Sequence, residues 1–212
     1  MARRSREALV LLAVGGVLLI AATADARKKK KCAKVTLPTS TQTDKVQTGG
    51  HDVAAWATSR FAAALAEVKK TETDDATARD IALSLLTHWS IETANGAAEW
   101  NYNVGNITAT GQQTWYLAHD ISGCDLAFRA FADLASGVAA YVALLGGARY
   151  KVAAYELAHD PTKADWWIAL GKAGWFDPTK AKPPSTWDQA AASFAARRAS
   201  LAQYATASEA ST

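Results

Sequence analysis

Residues 88–107 read HWSIETANGAAEWNYNVGNI, and the stretch changes character in its middle. Up to Glu92 the chain keeps a helical period: Ile81, Leu85, His88 and Glu92 recur three or four residues apart, so they share one face of a helix predicted from about Ala76 to Ala94. Asn95 and Gly96 then stop it, because both residue types accept the left-handed backbone that closes a helix. Glu92 falls in the last turn, where the negative end of the helix dipole disfavours a carboxylate. With Trp89 before it and Trp100 after it, apolar surroundings act in the same direction. A carboxyl held toward its neutral form is suited to general acid catalysis.

Outward from this stretch the pattern stays helical. DVAAWATSRFAAALAEV (52–68) places Val53, Ala57, Phe61, Ala64 and Val68 on one face, and TETDD (71–75) supplies N-cap residues for the helix that carries Glu92. From Trp100 to Phe131 the period disappears, and TWYLAHD, ISG and CDLAFRAF read as two short strands around a turn. Helices resume at DLASGVAAYVALLGG, with Asp133 as cap and Leu134, Val138, Tyr141, Val142 and Leu145 facing inward. ARYKVAAYELAHD is a shorter helix. DPTKADWWIALGKAG is expected to start with Asp160 as N-cap and Pro161 at the first helical position, and to stop at Gly174. Trp187, Phe194, Leu201 and Tyr204 mark a last helix before a polar tail. These elements predict a mainly α (α+β) domain with a small β-hairpin lobe.

The 212 residues fit one core, and the flanks differ from it. Residues 1–26 combine a basic start (MARRSRE), an apolar run (ALVLLAVGGVLLIAA) and Ala-x-Ala sites ending at Ala24 or Ala26, which describes an export signal or, if uncut, a membrane anchor. Residues 27–50, basic and then rich in Thr, Ser, Gln and Gly, have the composition of a linker. The domain is expected over 51–180, with 181–212 as a C-terminal helix and tail. Residues 35–212 hold 14 Lys and Arg against 18 Asp and Glu, so the domain is mildly acidic and lacks the basic face of a nucleic-acid binder. The lysine run 28–31 suits weak contact with anionic wall polymer or a membrane surface. Two cysteines, Cys32 and Cys124, are too few for a disulfide framework; they either bridge or remain two thiols.

The segment LLTHWSIETANGAAEWNYNVGNITA (85–109) resembles the catalytic segment of the FlgJ-like bacterial β-N-acetylglucosaminidases, peptidoglycan hydrolases of the lysozyme-like superfamily often labelled mannosyl-glycoprotein endo-β-N-acetylglucosaminidase-like. In that family an E-S/T-x-x-G motif closes a helix and an N-x-N-x-G/F-N-I segment follows. LAFRAFADLASGVAAYVALL and WWIALGKAGWFDP resemble two further motifs of the family, in the same order. The resemblance implies a lysozyme-like helical domain that cuts β-1,4 bonds of peptidoglycan at N-acetylglucosamine. It implies Glu92 as general acid, with Thr93, Trp100, Asn101, Tyr102, Asn103, Gly105, Asn106 and Ile107 lining the saccharide cleft. No metal or cofactor is implied, and the expected partner is a glycan strand met by a monomer in the cell envelope or outside the cell.

A second acid often sits on the family's hairpin, and HDISG aligns Asp120 with it; Asp125 and Glu99 are the competitors. A second carboxylate makes a hydrolase, whereas Glu92 alone on the same fold makes a lytic transglycosylase, and a muramidase is a further variant. A catalytically inactive wall-binding module is the alternative of another class. His88 reads as a core histidine, and His51, His119 and His159 lack metal-ligand spacing. Among the tryptophans, Trp56, Trp166, Trp167 and Trp187 fit core packing, and Trp89, Trp100, Trp115 and Trp175 are the cleft candidates.

Overall fold

The computed structural model describes residues 37–119, 124–181 and 184–207. The expected export signal, the lysine run and Asp120 lie outside these residues.

Helix α2, Asp75–Glu92, is the axis of the fold, and its buried residues run almost without a break from Ile81 to Ser90. A helix covered on all sides must satisfy its polar side chains internally, and the buried hydroxyls of this one do so, whereas the Trp89 indole N–H has no partner. Thr87 and Ser90 donate back to Leu83 O and Thr87 O, each at 2.7 Å, and Ser84 donates to Pro161 O at 2.5 Å. Asp74 caps its start by accepting from Thr77 N.

Around this axis pack α1 (Val53–Val68), α4 (Lys151–His159) and the long last helix α6 (Trp187–Ala207). Helix α3 (Leu134–Leu145) lies against α1 and α4, and α5 (Asp165–Lys172) fills the angle between α4 and α6. The core is aromatic: Trp167 stacks on Phe176 and Phe194, and Trp166 meets Phe194 edge-on. Trp56, Trp166 and Trp167 are buried, as their helical positions predict. None of the described helices is long and apolar enough to cross a membrane.

Helix α5 departs from the predicted start. Asp160 ends α4, its backbone N–H donating to Glu156 O, and its carboxylate pairs with Lys163 and accepts from Thr162. Pro161 is buried with its carbonyl committed to Ser84, so a tight turn intervenes and Ala164 becomes the N-cap. A proline that could open a helix is used instead as a fixed corner against α2.

The hairpin lobe is two antiparallel strands, β1 (Trp115–His119) and β2 (Asp125–Arg129), paired Trp115 to Arg129 through His119 to Asp125. Both edges are extended by short bridges. Thr108 pairs with Phe128 on one side, and Gln42 pairs in parallel with Trp115 on the other. The latter contact belongs to the segment read as a linker, and residues 41–48 are in fact strapped to the domain. Thr43 N donates to Trp115 O at 2.8 Å, Asn101 N to Val46 O at 2.8 Å and Thr48 N to Glu99 O at 3.1 Å. Polar composition concealed this because the strap is held by backbone hydrogen bonds, which need no apolar side chains. Cys124 is disulfide-bonded, and Cys32, the chain's other cysteine, lies outside the described residues.

Candidate active site

The C-terminus of α2 opens onto a loop, residues 93–107, folded in an unusual way. Ala94, Asn95, Asn101, Tyr102 and Asn106 all have positive φ, between 50° and 57°, and no other non-glycine among the described residues does. Side chains adopt that region at a cost, and such residues persist only where surrounding contacts over-determine them. Gly96, at φ 90°, completes a run of three left-handed residues directly after the helix, and a Cβ there would sit 2.3 Å from the Trp56 ring.

The contacts that hold the loop are buried. Glu99 is fully covered, and its carboxylate forms a salt bridge with Arg60, accepts from Trp56 Nε1 at 2.8 Å and accepts from Thr48 Oγ1 at 3.1 Å. Arg60 also donates to Thr48 O, so one cluster ties α1, the strap and the loop together. Glu99, weighed as a second acid, therefore has both oxygens occupied inside the fold and no route to a substrate.

Several residues expected to line a cleft prove to be internal struts. Asn103 is fully buried and spends its amide on Ile107 O, Arg129 O and Ile107 N, at 2.7 to 3.0 Å. Asn101 bonds Val46 N and Asp44 O. Thr93 is buried, donating to Trp89 O and accepting from Gly96 N, and Ile107 is buried in the main core. Gly105 lies under the Tyr141 ring, where an added Cβ would meet a ring carbon at 2.3 Å. Trp89 and Trp115 are buried as well, which removes them from the cleft candidates. Short polar side chains in this loop replace the backbone partners that a regular element would have supplied.

Glu92, Trp100, Tyr102 and Asn106 stay partly exposed. The Glu92 side chain is 22% accessible, whereas the histidine beside it is fully covered. Asn106 Nδ2 donates to Glu92 O at 2.6 Å, capping a terminal carbonyl of α2 and fixing the loop to the acid's own backbone. Lys45 Nζ lies 4.0 Å from the centre of the Trp100 ring, covering one of its faces. Asp125 is exposed at the start of β2.

Behind Glu92 stands a pair that sequence reading assigned to the core alone. His88 Nε2 is 3.2 Å from Glu92 Oε1, and Tyr141 Oη is 2.6 Å from His88 Nδ1. Both rings are buried. Burial lifts the Tyr141 phenol well above its ordinary range, and the nearby Glu92 and Tyr150 charges add to the effect. Trp175 meets His88 edge-on at 5.4 Å and Tyr141 at 5.6 Å, so it joins this cluster at its partly buried side. The i, i+4 spacing of His88 and Glu92 was the available signal; Tyr141 comes from a distant helix and left none.

No protein-family profile and no curated protein matches the chain. Among solved structures it is similar to the glycoside hydrolase domain of Salmonella typhimurium FlgJ, with 19% identity over 74% of this chain and 92% of that one and a TM-score of 0.49. Similarity at that level is a likeness between two chains and carries no residue role across to this one.

Proposed function

We propose that this protein is an exported peptidoglycan hydrolase that cleaves β-1,4 glycosidic bonds at N-acetylglucosamine, with Glu92 as general acid. The observation that carries the reading is the state of Glu92: a carboxyl at the end of a buried helix, one oxygen facing a covered histidine, the rest open beside a loop of left-handed residues. An alkoxide leaves a sugar carbon readily only if its oxygen is protonated as the bond breaks, and a partly exposed, rigidly backed carboxyl suits that task. The ordered motifs at 85–109, 126–145 and 166–178 support the same substrate class.

In this reading Trp100, Tyr102 and Asn106 meet the sugar, the rings against its C–H faces and the amide against a hydroxyl or acetamido group. The buried residues of the loop act indirectly, by holding these three and Glu92 in place. Water activation falls to Asp120, outside the described residues, or to Asp125; Glu99 is unsuited because its oxygens are already bonded. An N-terminal signal brings the chain to the cell envelope or beyond, where glycan strands are its partner.

The test is mass spectrometry of fragments released from purified peptidoglycan by the protein, with and without borohydride reduction. Reducible N-acetylglucosamine ends are expected. Anhydro-muramic ends would make the protein a lytic transglycosylase and reducible muramic ends a muramidase, whereas binding without release would make it a wall-binding module.

A further inference from the structure

We infer that Tyr141 and His88 form a fixed hydrogen-bond relay that reserves Glu92 Oε2 for the catalytic proton, making both of them positioning residues for the acid. The inference rests on the proposed role of Glu92. It follows from counting donors and acceptors in a row of four atoms: Tyr141 Oη, His88 Nδ1 and His88 Nε2, on two buried rings, and Glu92 Oε1 on the partly exposed acid.

A neutral imidazole carries one N–H, so one ring nitrogen donates and the other accepts. If Nδ1 carried the proton, it would donate to the Tyr141 oxygen, and the phenolic proton would be buried with no acceptor, since His88 is the only hydrogen-bond partner of Tyr141 Oη among the described residues. The bare Nε2 would then also face a carboxylate oxygen, lone pair against lone pair. Both faults vanish in the opposite arrangement. Tyr141 O–H donates to Nδ1, the proton sits on Nε2, and Nε2–H donates to Glu92 Oε1. An unmet buried donor is costly, so the second arrangement prevails. The raised Tyr141 phenol keeps its proton and remains able to donate.

The consequence lies at the acid. Oε1 accepts from Nε2–H whether or not Glu92 is protonated, so the proton that Glu92 delivers sits on Oε2. Among the described residues nothing hydrogen-bonds Oε2, which leaves it to the substrate. When Oε2 gives up its proton to the glycosidic oxygen, the new carboxylate already has a donor at Oε1, and no group has to turn. The imidazole cannot swing away, because Tyr141 and Trp175 pack against it edge-on and Trp166 lies 5.9 Å from its centre.

Two measurements test this. The first is 15N NMR of the histidine rings in the full chain, with the His88 signals assigned by difference from His88→Gln. A neutral ring protonated on Nε2 is expected; a ring protonated on Nδ1, or on both nitrogens, at neutral pH would overturn the inference. The second is turnover of peptidoglycan. His88→Leu and Tyr141→Phe should each lower kcat about tenfold or more with KM within about twofold, since they act on the acid and not on sugar binding. His88→Gln, whose amide reaches the position of Nε2 and can donate, should recover part of the loss. Wild-type kcat in His88→Leu or Tyr141→Phe, or no advantage of Gln over Leu, would overturn it. Should His88→Leu not fold, the ring NMR and Tyr141→Phe decide the matter. Full turnover in Glu92→Gln would instead sink the proposed function, and the NMR result would stand apart from it.

Discussion

Helix α2 and the loop that follows it meet at one residue, Glu92, and are stabilised in opposite ways. The helix is regular, capped by Asp74, and buried through apolar side chains and short backbone-directed hydroxyl bonds. The loop has left-handed residues at five non-glycine positions and is held by buried amides and one buried ion pair. Burial of apolar surface is non-directional and tolerates rearrangement, whereas hydrogen bonds fix geometry. A site that must hold a carboxyl, two aromatic rings and an amide in a set arrangement is better built on the second kind of support. The helix contributes a stable base, and the loop contributes the geometry.

That contrast can be broken at its seam. Glu92→Gln should lower turnover by about 10²–10⁴-fold while leaving the melting temperature and circular dichroism unchanged, because the amide is nearly isosteric and the residue is partly exposed. A large loss of stability in this variant would place Glu92 among the structural residues instead.

On the loop side, Arg60→Leu strands the Glu99 carboxylate in a closed interior. A cost of about 3–5 kcal/mol is expected in denaturant unfolding. Native-state hydrogen exchange should show the damage first at residues 46–48 and 99–101, whose amides depend on this cluster, and last in α2. Uniform acceleration across the molecule would mean that loop and helix unfold as one unit.

A smaller wedge is Gly105→Ala. The new methyl meets the Tyr141 ring and should cost about 1–3 kcal/mol. Because Tyr141 bonds His88, kcat should fall further than that loss of folded protein accounts for, even at temperatures where the variant is fully native. Unchanged kcat would separate the loop from the relay.

The smallest effects belong to the helix caps. Asp74 and Asp133 sit below the ordinary 3.8 because backbone N–H groups, of Thr77 and Ser136, donate to their carboxylates. A depressed folded-state value means that each cap stabilises the fold above the unfolded value and loses this as pH falls through the folded one. Asp74→Ala and Asp133→Ala should therefore lower stability slightly near neutral pH and progressively less below pH 3.8, with turnover unaffected. An equal deficit at low pH would assign the loss to something other than charge.

Much of this is legible in the sequence. Helical spacing located α1, α2, α3 and α6 to within a few residues, because an amphipathic helix writes its burial into its period. Asn95-Gly96 marked the end of α2, and alternation marked the hairpin. The loop was legible only as a motif. Its amides read as sugar ligands because exposed and buried asparagines look alike in a sequence; Asn101 and Asn103 turned out to bind backbone 26 to 57 residues away. The strap at 41–48 was invisible for the same reason, since backbone hydrogen bonds carry no side-chain signature.

The helical framework, the place where it breaks and the acid at that break all follow from local period and local backbone preference. Packing between distant segments sets which polar residues around Glu92 stay exposed, commits Glu99 to Arg60, and brings Tyr141, 53 residues from His88, behind the acid. These are pairings between distant segments. Their partners are chosen by packing and by the cost of leaving a buried polar group unpaired, and neither condition leaves a trace in local sequence.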